Sequence, residues 1–341
     1  MLSHPWSAGV ARLKALLGEA RRCLIVSHVN PDGDAVGSSL AAWGYLRAAF
    51  PAMEVLVAFP NRFPDFLSWI EGADRAVSYL DSREAVHTYL QGCDLLLCLD
   101  FNDLARLEAL GEALTACAAP RVLIDHHLRR GEEFDLVLSD PSASSTSELL
   151  YRVIVALEGK PLLSKGIAEA LYTGLMTDTG SFSFSVNTPD TFRMAADLME
   201  LGIDKNEVAA RVYDSYSESR MRLLGYCLQS QMRLLPERGA AYISLSREEM
   251  DSFNFQPGDT EGFVNYPLSI RGITLSALLT EATDKTHIRV SLRSKGKDIS
   301  VNDMARKHFN GGGHFNAAGG KYFDTMENCK AYLEKIWNES C

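Results

Sequence analysis

Three short apolar runs in this chain each break off at an acidic or imidazole side chain. Cys23–Ser27 runs into His28, Leu95–Leu99 into Asp100, and Val122–Ile124 into Asp125-His126-His127. Runs this short, bounded by turn-forming residues, read as buried strands rather than helices. Val55–Phe59 reads as another strand. Helical patterns lie between them, over 36–49, 65–70, 82–90 and 103–117, and continue at 145–158 and 164–177. Ser145-Thr146-Ser147-Glu148 fits a capping box with Ser145 as N-cap. Strands alternating with helices predict an α/β fold, a mostly parallel sheet flanked by helices. With 341 residues the chain has room for about two domains. The first is placed over 1–187. Residues 188–235 are helical in pattern and polar, and are expected to form a helical connector. Residues 236–341 are expected to form a smaller α+β domain, with strands at Ala241–Leu245 and His287–Arg293 and a glycine-rich stretch over 310–320.

Charge narrows the function. Lysine plus arginine number 34 against 44 aspartates and glutamates, a formal charge of −10. Such a chain lacks the many basic contacts that hold long nucleic acid. A short phosphate-bearing substrate remains compatible where positive charge is local. The seven cysteines include no C-x-x-C pair, which points to a reduced, cytoplasmic setting. Cys98, inside a leucine run, reads as a small buried hydrophobe. No apolar run approaches the ~20 residues of a membrane helix. The amphipathic start (Val10, Leu13, Leu16, Leu17) lacks the apolar core of a signal peptide.

The strand ends carry the chemistry. His28-Val29-Asn30-Pro31-Asp32-Gly33-Asp34 puts one imidazole and two carboxylates at the carboxyl end of a strand, where ligand sites of open α/β sheets lie. Asp100 and Asp125-His126-His127 end two further strands, and Asp178 ends a helix. Each alone has an ordinary reading as a turn or cap. Asp32-Gly33-Asp34 also resembles part of a calcium loop, but no bidentate glutamate follows at the required offset. The conjunction is harder to dismiss, because three strands deliver Asp or His to one edge of the sheet. Four carboxylates and two or three histidines cannot share a cleft without compensating positive charge. Two divalent ions bring about +4, and oxygen-rich ligands with some imidazole suit Mn²⁺ or Mg²⁺. A two-metal site suits phosphoester hydrolysis. Further along, Gly311-Gly312-Gly313-His314 and Ala317-Ala318-Gly319-Gly320 offer backbone that can approach phosphate closely, preceded by Arg293, Lys295 and Lys297.

His28-x-x-x-Asp32-x-Asp34, Asp100, Asp125-His126-His127 and Asp178, in this order, resemble the four motifs of the DHH phosphoesterase superfamily, and Gly311–His314 with the following Ala-Ala-Gly resembles the signature of its DHHA1 domain. The layout is similar to the bacterial nanoRNase (oligoribonuclease) and 3′-phosphoadenosine-5′-phosphate phosphatase group, a relative of the RecJ exonuclease. The resemblance implies two divalent cations per chain, Mn²⁺ or else Mg²⁺. His28 and Asp32 would hold one, Asp34, His126 and Asp178 the other, with Asp100 bridging. His127 and Asp125 would be the catalytic pair. His127 would face the substrate phosphate or the attacking water, and Asp125 would orient a histidine. Arg293 and His314, with Lys295, Asn316 and Gly311–Gly313, would bind substrate from the second domain across a cleft. The implied activity releases nucleoside 5′-monophosphates from short RNA and AMP from phosphoadenosine phosphate. Long duplex nucleic acid and membranes are not expected partners, and a homodimer stays open. Competing readings are a cyclic- or linear-dinucleotide phosphodiesterase, a pyrophosphatase-type relative and a non-catalytic nucleotide-binding regulator.

Overall fold

The apolar runs become neighbouring strands of one sheet. The computed structural model describes residues 7–128, 131–183, 186 and 188–340, and the chain divides into two units, Met1–Ser215 and Tyr216–Cys341. The first unit runs α1 (Ser7–Glu19), β1 (Arg22–Val26), α2 (Gly33–Ala49), β2 (Glu54–Phe59), β3 (Val77–Ser78), α3 (Arg83–Leu90), β4 (Leu95–Leu99), α4 (Ala109–Thr115), β5 (Arg121–Asp125), β6 (Leu136–Ser139), α5 (Thr146–Ala156), α6 (Lys165–Asp178), α7 (Pro189–Glu200) and α8 (Lys205–Tyr213). Its strands lie in the order β3-β2-β1-β4-β5-β6, every pair parallel.

Both faces of this sheet are covered, which is why its strands are apolar without alternation. Leu24, Val26, Leu96, Cys98 and Leu123 pack toward α3 and α4. Ile25, Leu97, Leu99, Val122 and Ile124 pack toward α1, α2, α5 and α6. Cys98 is fully buried, as its setting predicts. Helices α2 and α6 cross closely through small residues. A Cβ on Gly37 would lie 2.5 Å from the Ala170 carbonyl, and one on Gly174 would collide with Ser147 and Asp34. That crossing brings the start of α2 beside the end of α6.

Register and strand order build the site. Cys98 on β4 pairs with Val26 on β1 and with Leu123 on β5. Two residues beyond that level stand His28, Asp100 and Asp125, so the three strand ends present their polar groups at one height. The chain leaves β1 for β2 on one side and resumes at β4 on the other. This reversal of strand order opens a crevice at the carboxyl ends of β1 and β4.

The second unit comprises α9 (Glu218–Tyr226), β7 (Met232–Leu235), β8 (Ala240–Leu245), α10 (Arg247–Ser252), β9 (Leu275–Glu281), β10 (Ile288–Ser294), α11 (Val301–His308), β11 (Gly312–Gly313), β12 (Ala317–Tyr322) and α12 (Met326–Ser340). Its sheet has the order β11-β12-β10-β9-β8-β7. Only the β8–β9 pair among these is parallel. Phe309, Leu333 and Trp337 anchor its core.

The stretch read as a connector is divided between the units. Helices α7 and α8 pack on α6, while α9, a π-helical turn over Cys227–Gln231 and the strand β7 belong to the second unit. The glycine-rich stretch forms a hairpin, with Gly312 opposite Gly319 and Gly313 opposite Ala318. Among the described residues no helix is long and apolar enough to cross a membrane.

Candidate active site

The turn after β1 is shaped by Asp32, the N-cap of α2. Its Oδ1 accepts from the backbone N–H of Asp34 (3.0 Å) and Ala35 (3.1 Å), a pairing that satisfies the helix start. Its Oδ2 lies 3.8 Å from His28 Nε2. His28 Nε2 is also 3.4 Å from Asp100 Oδ2, and Asp100 itself sits at φ +64° directly after β4. Across the site, His126 Nε2 faces Asp178 Oδ2 at 3.2 Å, Asp100 Oδ1 at 3.7 Å and Asp34 Oδ2 at 3.9 Å. Two sets, His28/Asp32/Asp100 and Asp34/His126/Asp178, gather ligand atoms within 4.8 Å of one another. Asp100 lies against both.

The histidine tautomers test whether cations fit. His28 Nδ1 lies 2.9 Å from the Val29 carbonyl, and His126 Nδ1 lies 3.2 Å from the Ala143 carbonyl. A carbonyl only accepts, so each Nδ1 carries the proton. In the neutral rings the Nε2 lone pairs then point at carboxylates, which is repulsive unless a proton or a cation lies between. Metal-ligating histidines are oriented in this way, with the second nitrogen tied to a carbonyl.

The titration behaviour agrees. Burial, then the neighbouring Asp100, pushes Asp34 up to about 7. Burial pushes Asp178 well above the carboxylate range. Burial opposes charge on His126, but Asp178 and Asp100 outweigh it and lift the ring to about 9. Asp100 moves the other way. Its burial is overcome by the hydrogen bond from His28 and by the nearby imidazoles, which hold it below the usual range. Protons compensate the charge here, and divalent cations would do so more completely.

His127 is built differently. Arg106, on the single helical turn Leu104–Leu107, has its Nη1 2.8 Å from His127 Nε2. A guanidinium only donates, so Nε2 accepts, and Nδ1–H donates to Asp125 Oδ1 at 2.6 Å. Both ring nitrogens are engaged, and a neutral imidazole results. Burial, together with Arg106, holds the His127 pKa well below the ordinary value. The set Asp100/Asp125/His127 also clusters, and here both nitrogens of His127 are already bonded. Asp125 is buried, and its Oδ2 has no hydrogen-bond partner among the described residues.

Sequence reasoning missed Arg106 and the segment before α5. The Ser145 Oγ caps α5, accepting from Glu148 N at 3.0 Å. The other half of the expected box is not formed, because the Glu148 carboxylate turns instead to Ser144, accepting from its N (3.1 Å) and Oγ (2.5 Å).

In the second unit, Arg293, His314 and Asn316 gather where β10 ends and β12 begins. Arg293 stands opposite Ala317, Ser294 N donates to the Asn316 carbonyl at 3.0 Å, and His314 N donates to the Ala317 carbonyl at 2.7 Å. Two of the glycine amides are already engaged. Gly311 N donates to the Ala305 carbonyl (3.2 Å) and Gly313 N to Asn302 Oδ1 (2.9 Å). A Cβ on Gly311 would collide with the Gly319 carbonyl, so close approach of two strands accounts for that glycine. The Lys295 ammonium donates to the Leu268 carbonyl. Asn316 Nδ2 holds Ser294 Oγ and the Gly296 carbonyl, each at 2.9 Å.

Comparison with known proteins places this arrangement. Residues 22–175 match the DHH family, N-terminal domain, and residues 240–339 match the DHHA1 domain. The bifunctional oligoribonuclease and PAP phosphatase NrnA of Bacillus subtilis is 30% identical over 318 residues, covering 92% of this chain and 93% of that one. The protein of the same name from Thermus thermophilus is 30% identical over 317 residues, covering 92% and 89%. A crystal structure of an exopolyphosphatase-related protein from Bacteroides fragilis superposes with a TM-score of 0.91 at 39% identity, covering 99% of this chain and 98% of that one. The strand-end motifs and the sheet that aligns them are those of a shared lineage: the chain belongs to the DHH phosphoesterase family and carries its DHH and DHHA1 domains.

Proposed function

We propose that this enzyme hydrolyses short RNA oligonucleotides to nucleoside 5′-monophosphates and converts 3′-phosphoadenosine-5′-phosphate to AMP, with two divalent cations, Mn²⁺ first among them. The observation that carries the reading is the pair of imidazole Nε2 atoms that face carboxylates on either side of Asp100. The activities named for relatives at 30% identity support the substrate class.

His28 and Asp32 would hold one cation and Asp34, His126 and Asp178 the other, with Asp100 beside both sets. Bound there, divalent ions supply the acidification of water and the neutralisation of phosphoryl charge that such hydrolysis needs. His127 is the catalytic imidazole. Asp125 fixes its Nδ1–H, so that Nε2 is the atom left to meet a substrate oxygen or water. Arg106 holds that nitrogen until substrate arrives and adds a positive charge beside the developing negative one. Arg293 and His314 bind the nucleotide's phosphates.

A substrate panel with Mn²⁺ tests the reading: a pentanucleotide RNA, phosphoadenosine phosphate, cyclic di-AMP and pyrophosphate. Release of mononucleotides from RNA and phosphate from phosphoadenosine phosphate is the expected result. Turnover of cyclic di-AMP or pyrophosphate alone would overturn it.

A further inference from the structure

Residues Ser144–Glu148 are five consecutive polar side chains, none more than 2% exposed. Polar groups buried in this way are costly unless they are hydrogen-bonded. Among these side chains the Thr146 hydroxyl meets a candidate ligand, and backbone groups of the same segment meet others. The Ala143 carbonyl fixes the His126 tautomer at 3.2 Å. Thr146 N donates to Asp34 Oδ2 at 2.6 Å and Ser147 N to Asp34 Oδ1 at 2.9 Å. The Thr146 hydroxyl donates to Asp100 Oδ1 at 3.0 Å. The segment is braced from behind. Glu148 accepts from Ser144 and, at 2.9 Å, from Thr191 Oγ1, and it pairs with Arg152.

Thr146 therefore grips two carboxylates that belong to different ligand sets. Its hydroxyl donates to one oxygen of Asp100 on the His126 side, leaving Oδ2 toward His28. A carboxylate shared by two ions would be able to offer one oxygen to each, and a donor that fixes its orientation favours that arrangement in advance.

We propose that Thr146 is a positioning residue. Its hydroxyl holds Asp100 in the bridging orientation and so sets the affinity for the pair of cations rather than the stability of the fold. This rests on the two-cation reading of the site. The test uses the full-length chain, stripped of metal by chelation and dialysis, with Mn²⁺ binding followed by calorimetry. The unsubstituted protein should bind two Mn²⁺. Thr146→Val, which removes only the hydroxyl, should weaken Mn²⁺ binding 10- to 100-fold, with a metal-free Tm close to that of the unsubstituted protein. Raising Mn²⁺ to saturation should recover most of the lost turnover. Thr146→Ser should restore affinity to within a few-fold.

Where valine proves too disruptive to fold, the Ser/Ala pair isolates the same hydroxyl, and Thr146→Ala alone should lose metal affinity. Unchanged Mn²⁺ affinity in Thr146→Val, or equal losses in the Ser and Ala variants, would overturn the proposal while leaving the two-cation reading intact. Failure of the unsubstituted protein to bind Mn²⁺ or Mg²⁺ would overturn both.

Discussion

The two units treat their motif residues in opposite ways. At the strand ends of the first unit, buried imidazoles and carboxylates are crowded against one another: imidazole Nε2 atoms face carboxylates, and Asp125 Oδ2 has no hydrogen-bond partner among the described residues. In the second unit, much of the motif is consumed by its own architecture. Gly311 and Gly313 close a hairpin, Asn316 ties β10 to the following loop, and Lys295 serves a carbonyl. A motif can mark chemistry or backbone geometry. The hydrogen-bond inventory separates the two, because a group already satisfied inside its own domain has less to offer a ligand.

The largest test of this contrast is Asp100→Asn. The change keeps shape but removes a negative charge shared by both cation positions. Turnover measured at saturating Mn²⁺ should fall by at least ~10³-fold, and near-normal turnover would remove Asp100 from the site. His127→Ala should lower turnover by ~10²-fold or more while metal analysis of the dialysed protein still finds two ions. Loss of an ion there would show that the imidazole is a ligand, against its bonding to Arg106 and Asp125.

The division of labour comes next. Arg293→Ala should raise KM for a short oligonucleotide by ~10-fold or more, the cost of a charge-assisted hydrogen bond. Hydrolysis of bis(p-nitrophenyl) phosphate, which offers no nucleotide to recognise, should hardly change. Equal losses on both substrates would assign Arg293 to folding or to chemistry, and no loss on either would make it an ordinary strand-end residue. Lys295→Met sharpens the comparison. An ammonium spent on the Leu268 carbonyl should, when lost, cost stability and leave KM within about two-fold, since a single satisfied hydrogen bond is worth roughly 1 kcal/mol.

The strand ends were legible because apolar runs and the residues that stop them are local patterns. Parallel pairing then carried His28, Asp100 and Asp125 to one level without further instruction. The groups that orient them were not legible. Thr146 and Ser147 meet Asp34 across 112 and 113 positions of sequence, and Thr146 meets Asp100 across 46. Ser145–Glu148 looks locally like nothing more than a helix start. Arg106 sits on one short turn, and only the path of the chain after β4 brings it to His127. In the second unit β12 is built from Ala-Ala-Gly-Gly-Lys-Tyr, which has little strand propensity of its own and is held by β10. The connector reading shows a related dependence. Its helical pattern is real, but whether a helix bridges or packs depends on the surface it meets, and α7 and α8 meet α6.

The smallest expected effect concerns stability against pH. Asp34 is raised to about 7 and His126 to about 9 in the folded, metal-free protein. A group whose pKa is raised by folding stabilises at low pH, and that contribution is lost as pH climbs through the raised value. His28, Asp125 and Asp178 are raised as well and act in the same direction. His127 is lowered, so it opposes this trend, but only below its ordinary value near 6.5. Between pH 6.5 and about 9 the contributions of Asp34 and His126 are therefore lost without opposition from His127. Metal-free protein should lose Tm across this interval by roughly 2–4 °C for each 1 kcal/mol surrendered. Mn²⁺ or Mg²⁺ displaces the same protons, so the loaded protein should show a flatter profile, and the gain in Tm on adding metal should widen with pH. Thermal melts with and without metal at pH 6.5, 7.5 and 8.5 measure both. A metal-free Tm that holds steady or rises over that range would mean that the first unit's carboxylates are balanced from within, and the contrast between the two units would collapse.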